Sequence, residues 1–221
     1  MNLPPPVPRT HKHTRRITCE GYRRDDGLWD IDARIVDTKT YRYTEPDRGS
    51  RAIGEPVHDM SVRLTIDDAM IVRDIVVVFS SNPYAACLGA APNFKGLIGA
   101  KVGLGWRKAV QACVGGTNGC THVRELLFPM ATVAFQTMSG WAADDDESPD
   151  GRADKASERA AGRASDGSDA ASRAEGERGA PRGPSGGDDR KPYFIDGCKA
   201  WASTGDVVAR FHPRFHRPAG G

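Results

Sequence analysis

The chain has 221 residues, 38% of them hydrophobic and 27% charged, with a formal net charge of +2. That balance fits one ordinary globular domain plus a sizeable unstructured part, and it excludes a strongly basic nucleic-acid binder. No apolar run approaches the roughly 18 residues needed to cross a bilayer, so neither nucleic acid nor a membrane is an expected partner.

Residues 1–14 are Pro-rich and then basic, without the apolar stretch of a signal peptide. They read as a disordered tail, in which His11 and His13 form only a weak metal-binding pair. Five cysteines, an odd number without an export signal, are the pattern of reduced thiols in a cytoplasmic protein.

The domain itself is expected over residues 15–141. Arg16–Tyr22 and Leu28–Asp37 read as two strands joined by a turn at Asp25-Asp26-Gly27. In the second, Trp29, Ile31, Ala33 and Ile35 alternate with Asp30, Asp32 and Arg34. Thr38–Glu55 is polar, with Pro46, Gly49 and Gly54, and reads as a long surface loop. Val62, Leu64 and Ile66 alternate in a third strand. Met70–Phe79, the most β-branched run, reads as a central fourth strand.

After Ser80 the period changes. Pro83–Gly89 and Pro92–Ile98 read as short helical turns, and Gly103–Val114 as a helix with Trp106, Val110 and Cys113 on one side. A β-meander of about four antiparallel strands followed by helices is an α+β fold. Residues 142–190 collapse in composition to small and charged types, the signature of a disordered linker. Residues 191–211 carry apolar side chains again and are expected to pack back on the domain, with Phe194-Ile195 and Val207-Val208 as strand candidates. Residues 212–221 read as a loose end.

The candidate chemistry lies in Gly115–Met138. Val123, Leu126, Leu127, Met130, Ala131, Ala134, Phe135 and Met138 define one helical stripe. Three glycines before Cys120 let the chain turn sharply, and Asn118 or Thr121 can cap the helix. Pro129 either kinks it or separates the Cys120-Thr121-His122 segment as a turn. A Cys at a helix N-terminus is expected to have a lowered pKa, and His122 stands two residues away.

Glu20–Asp30, Asp37-Thr38-Lys39, His58-Asp59-Met60, Gly119-Cys120-Thr121-His122 and Ala134-Phe135-Gln136 together resemble a bacterial family, the domain of unknown function 2889 (DUF2889). The resemblance covers roughly residues 15–140 and the 195–210 tail, and it implies no established activity. In that family the tail often looks like Asp-x-Cys-His, whereas this chain has Asp196-Gly197-Cys198-Lys199. The order of strands, a Cys after them, and a Cys and His opening a long helix also resembles the NifU/IscU-type scaffold proteins of iron–sulfur assembly.

Three functions fit these residues. The first is a non-catalytic binding or accessory protein whose partner is another protein or a small molecule. The second is a zinc or iron–sulfur site built from Cys87, Cys120, His122 and Cys198, since soft sulfur with imidazole suits those metals. The third is an enzyme with Cys120 as nucleophile and His122 or His58 as base.

Overall fold

The computed structural model describes residues 3–139 and 191–218. The fold is α+β. Strands β1 (His13–Arg23), β2 (Trp29–Lys39), β5 (Pro56–Ile66) and β6 (Val72–Ser81) form an antiparallel sheet in the order β1-β2-β5-β6. The β1–β2 turn is made where Gly27 adopts φ +84°, which glycine reaches without steric cost. Residues 3–12 have no regular structure, and the linker expected at 142–190 lies outside the described residues.

The alternation in β2 and β5 decides which face is covered. Trp29, Ile31, Ala33 and Ile35 sit beside Met60, Val62, Leu64 and Ile66, and all are buried. The polar partners face outward in cross-strand ion pairs. Arg63 bonds Asp32 at 2.6 and 2.8 Å, and Arg34 bonds Asp59 at 2.7 and 2.8 Å. An open trough of about 510 Å³ lies on this outer face between Glu20, Arg34, Arg63, Val76 and Val78.

Two expectations about strands change. The segment read as loop contains a small hairpin, β3 (Tyr43–Glu45) with β4 (Gly49–Arg51). Arg48 holds it, binding Glu45 and Ser81 and donating to the Val57 carbonyl at 3.1 Å. The β-branched run β6 is an edge strand rather than a central one, so its outward Val76 and Val78 remain 44% and 50% exposed.

The two turns expected after β6 form one 3-10 stretch, Ala85–Leu97, that buries Cys87, Ala90, Phe94 and Leu97. Helix α1 (Trp106–Val114) follows, starting after Gly105 at φ +86° and burying Trp106, Val110 and Val114. Cys113, expected on that side, is only partly buried and donates to the Asn93 carbonyl. Helix α2 (Thr121–Met138) runs through Pro129 without a break, so His122 belongs to its first turn. Its buried side is Val123, Leu126, Leu127, Met130 and Ala134, while Phe135, assigned to the stripe from periodicity, is 46% exposed. The helix lies across the inner face so closely that a Cβ on Gly21 would overlap the Thr137 side chain.

The tail at 191–218 is made of turns and short helical pieces where strands were expected. Phe194-Ile195 lie in turns and Val207-Val208 in helix α3 (Asp206–Phe211). Ile195, Ala200, Val207 and Val208 are buried, as expected of a docked segment. Trp201 packs edge-on to Tyr84 at 5.5 Å, Arg210 binds Asp47 at 2.9 Å, and the Lys199 N–H donates to the Gly119 carbonyl at 2.8 Å. Among the described residues no helix is long and apolar enough to cross a membrane.

Candidate metal centre

At one end of the inner face the apolar rows give way to polar side chains without a change of parity. Arg15, Asp37 and His58 are directly opposite one another on β1, β2 and β5. They continue the inward rows of Cys19 and Ile17, Ile35 and Met60, and so lie on the side of the sheet that the helices cover, where Asp37 is buried while Arg15, at the edge, keeps a 39% exposed side chain. His122 enters from the first turn of α2 and stacks on His58, with ring centroids 3.7 Å apart and planes inclined at 28°.

Asp37 is the hub. Arg15 grips it with Nε on Oδ1 and Nη2 on Oδ2, both at 2.8 Å. His58 Nδ1 lies 3.0 Å from Oδ2, His122 Nε2 lies 3.8 Å from the same oxygen, and His13 Nε2 lies 3.3 Å from Oδ1. Ligand atoms of Asp37, His58 and His122 all lie within 4.8 Å of one another. The Asp37 side chain is only 2% exposed. Burial alone would raise its pKa, but the Arg15 fork and the His58 hydrogen bond outweigh that and hold it well below the usual carboxylate range.

His122 is held neutral. Burial, then the neighbouring His58 and Arg15, push its pKa down to about 3. Its second ring nitrogen, Nδ1, is 3.9 Å from the Cys120 sulfur. Cys120, not Asn118 or Thr121, occupies the N-cap position of α2, and no side chain caps that end. The expectation of a lowered thiol pKa does not hold. Burial raises it, although the Val123 and His122 amides act in the opposite direction. The helix terminus therefore loses to desolvation here, because only a twentieth of Cys120 is exposed.

Of the four residues expected to bind metal, His122 is in the converged group and Cys120 touches it. Cys87 is buried, and its thiol is pushed up to about 12, first by burial and then by the Cys120 and Cys198 thiols. Cys198 is brought beside Cys120 by the Lys199–Gly119 hydrogen bond. The Cys120 and Cys198 thiols lie close enough for each to raise the pKa of Cys87, but the three do not belong to the group whose ligand atoms converge within 4.8 Å. Asp37 and Arg15 were missed. A visible signal existed: Asp37 has the parity of Trp29, Ile31, Ala33 and Ile35, so a charge there falls on the buried face.

A sheet covered on one side by helices, with a buried carboxylate, two imidazoles and a thiol at one end, is an α+β protein with a candidate metal site. The chain belongs to the family described as "Protein of unknown function (DUF2889)", which matches residues 13–136 and so spans Arg15, Asp37, His58, Cys120 and His122. Comparison with curated proteins and with solved structures gives no match.

Proposed function

We propose that this protein is a metal-binding accessory protein that holds a first-row divalent ion through Asp37, His58 and His122. The observation that carries this is the convergence of the three ligand atoms, with edges of 3.0 and 3.8 Å to Asp37 Oδ2. Metal bonds of about 2.0–2.2 Å demand ligand separations of that order. Two imidazoles with one carboxylate suit iron(II) or zinc and leave positions open. A neutral imidazole and an ionised carboxylate are also the protonation states that ligation requires. Arg15 occupies Asp37 from one side, which leaves carboxylate lone pairs on the other. A nucleophilic Cys120 fits this surrounding poorly, since its thiol is buried with a raised pKa and its neighbour His122 is a weak base.

One observation favours a second arrangement. The Lys199–Gly119 hydrogen bond carries Cys198 toward Cys120, so rotation of the side chains would let the thiols of Cys87, Cys120 and Cys198 join His122 Nδ1 in a sulfur-rich set. Asp37 would then orient the ring from Nε2, as carboxylates do behind metal-bound histidines. Three of its members, Cys87, Cys120 and His122, are those on which the sequence resemblance to iron–sulfur scaffolds rests.

Protein purified without a His tag and without air, then titrated with cobalt(II), separates the two. The nitrogen–oxygen site gives visible ligand-field bands without an intense near-ultraviolet sulfur-to-cobalt band. His58→Ala, His122→Ala and Asp37→Asn each abolish those bands, and Cys198→Ser leaves them. An intense sulfur band lost in Cys120→Ser and Cys198→Ser transfers the site to the thiols. Failure to retain or take up cobalt, zinc or iron sinks both arrangements.

A further inference from the structure

We propose that Cys120 and Cys198 are a redox-modification site: a thiol pair that closes to a disulfide under peroxide and fastens the 191–218 tail to the start of helix α2. The proposal rests on the backbone, and it is independent of the metal reading. The Lys199 N–H donates to the Gly119 carbonyl at 2.8 Å. Lys199 follows Cys198 and Gly119 precedes Cys120, so standard bond lengths together with the fixed angles of the two planar peptides limit the separation of the two cysteine α-carbons to about 8 Å even if the hydrogen bond lies in line with both. Any bend brings the pair toward the window of about 4.4–6.8 Å that a disulfide needs.

The other thiols are placed differently. Cys113 donates to the Asn93 carbonyl, and Cys19 sits on β1 opposite Ala33, packed against the core. Cys87 is the competing partner, because its thiol also feels both Cys120 and Cys198. Cys198 is partly exposed whereas Cys87 and Cys120 are buried, so an oxidant meets Cys198 first. Gly119 fixes the approach: a Cβ there would overlap the Val114 carbonyl, which holds the backbone turn that presents Cys120 to the tail.

The chemistry balances with hydrogen peroxide as the oxidant. The Cys198 thiolate attacks one peroxide oxygen, an S–O bond forms, the O–O bond breaks, and one water leaves after protonation. Cys120 sulfur then attacks the sulfenic sulfur of Cys198. The S–S bond forms as the S–O bond breaks, and the second oxygen leaves as water. The two thiols together give up two electrons and two protons.

The test uses metal-free full-length Cys113→Ser protein, in which the Ala109–Arg124 tryptic peptide carries Cys120 as its single thiol. After equimolar peroxide, that peptide should be linked to Lys191–Lys199, two hydrogens lighter than the sum, and dithiothreitol should release it. The oxidised protein should melt several degrees higher. Cys87→Ser should keep the link, and Cys198→Ser should lose both link and added stability. A Cys198–Cys87 bond, or Cys198 carried to the sulfinic acid while Cys120 stays free, overturns the proposal. Because no metal is present, neither outcome depends on how the metal question is answered.

Discussion

Asp196 shows how one side chain can set the shape of a segment. It has φ +65°, a region that short polar side chains tolerate better than others. From there its carboxylate accepts the Ser203 N–H at 2.7 Å and the Lys191 ammonium at 2.9 Å, closing the turns that bury Ile195 and Ala200. The Lys191 hydrogen bond first, and then the Ser203 amide, lower its pKa to about 2 despite partial burial. A carboxylate lowered by folding stabilises the folded state fully above its unfolded pKa, near 4, and loses that contribution as pH falls through about 2. The expected outcome is that the tail loosens between pH 4 and 2. Trp201 fluorescence, taken as the difference from Trp201→Phe, should shift in that window. Asp196→Asn, which keeps the backbone conformation but not the charge, should flatten the pH dependence and cost about 1 kcal/mol at pH 7. An unchanged acid limb in Asp196→Asn would remove the carboxylate from this role. Asp37 belongs to the same scale. Its parity placed a charge on the core side, but the sequence could not say which cations would meet it there, because Arg15 and His58 are supplied by pairing register rather than by local pattern.

At the scale of elements, the seat of α2 on the sheet is the contact most open to a simple test. Gly21 on β1 lies under Thr137, and a Cβ there would overlap the threonine side chain. Gly21→Ala should destabilise by about 1–3 kcal/mol through overpacking. Adding Thr137→Ala should recover most of that, and additive losses in the double mutant would show the two sites to be uncoupled. The strands and α2 were legible because period-2 and period-3.6 apolar patterns report directly which side is buried, as Trp29 to Ile35 and Val123 to Met130 do. Three features were not. The β3–β4 hairpin is only three residues a strand and depends on Arg48 reaching Glu45, Ser81 and Val57, contacts that no local pattern carries. The β-branched run of β6 speaks for a strand, but not for its place at an edge. Val207-Val208 looked like strand because β-branching is a weak preference, and a six-residue helix docked on apolar neighbours overrides it. The glycine turn placed Cys120 near the start of α2, but its thiol pKa follows burial, which depends on how the tail and sheet close over it.

For the whole molecule, the tail completes what the domain begins. The sheet with α1 and α2 has its own core, in which Phe94, Leu64, Leu126 and Met130 are fully enclosed. The tail then adds Trp201 over Tyr84, Arg210 on Asp47, and Lys199 at Gly119. A chain ending at Ser139 should therefore fold, melt at lower temperature, and expose Cys87 and Cys120. Labelling with a thiol reagent should be at least about tenfold faster at both than in the full chain, the change expected when local protection falls by about 1.4 kcal/mol. Equal rates would mean that the sheet and helices alone shield them.

The Lys199–Gly119 bond also has a consequence in time. Lys199 leaves the ribosome 80 residues after Gly119 (199 − 119), and translation at about 5–20 residues per second separates the two by roughly 4–16 seconds. Collapse of a chain this size is far quicker. Each newly made molecule thus passes through an interval in which the Cys120 end is formed but its cover has not been synthesised. Whatever captures Cys120, whether an ion, an oxidant or another polypeptide, has its easiest access before the chain is finished.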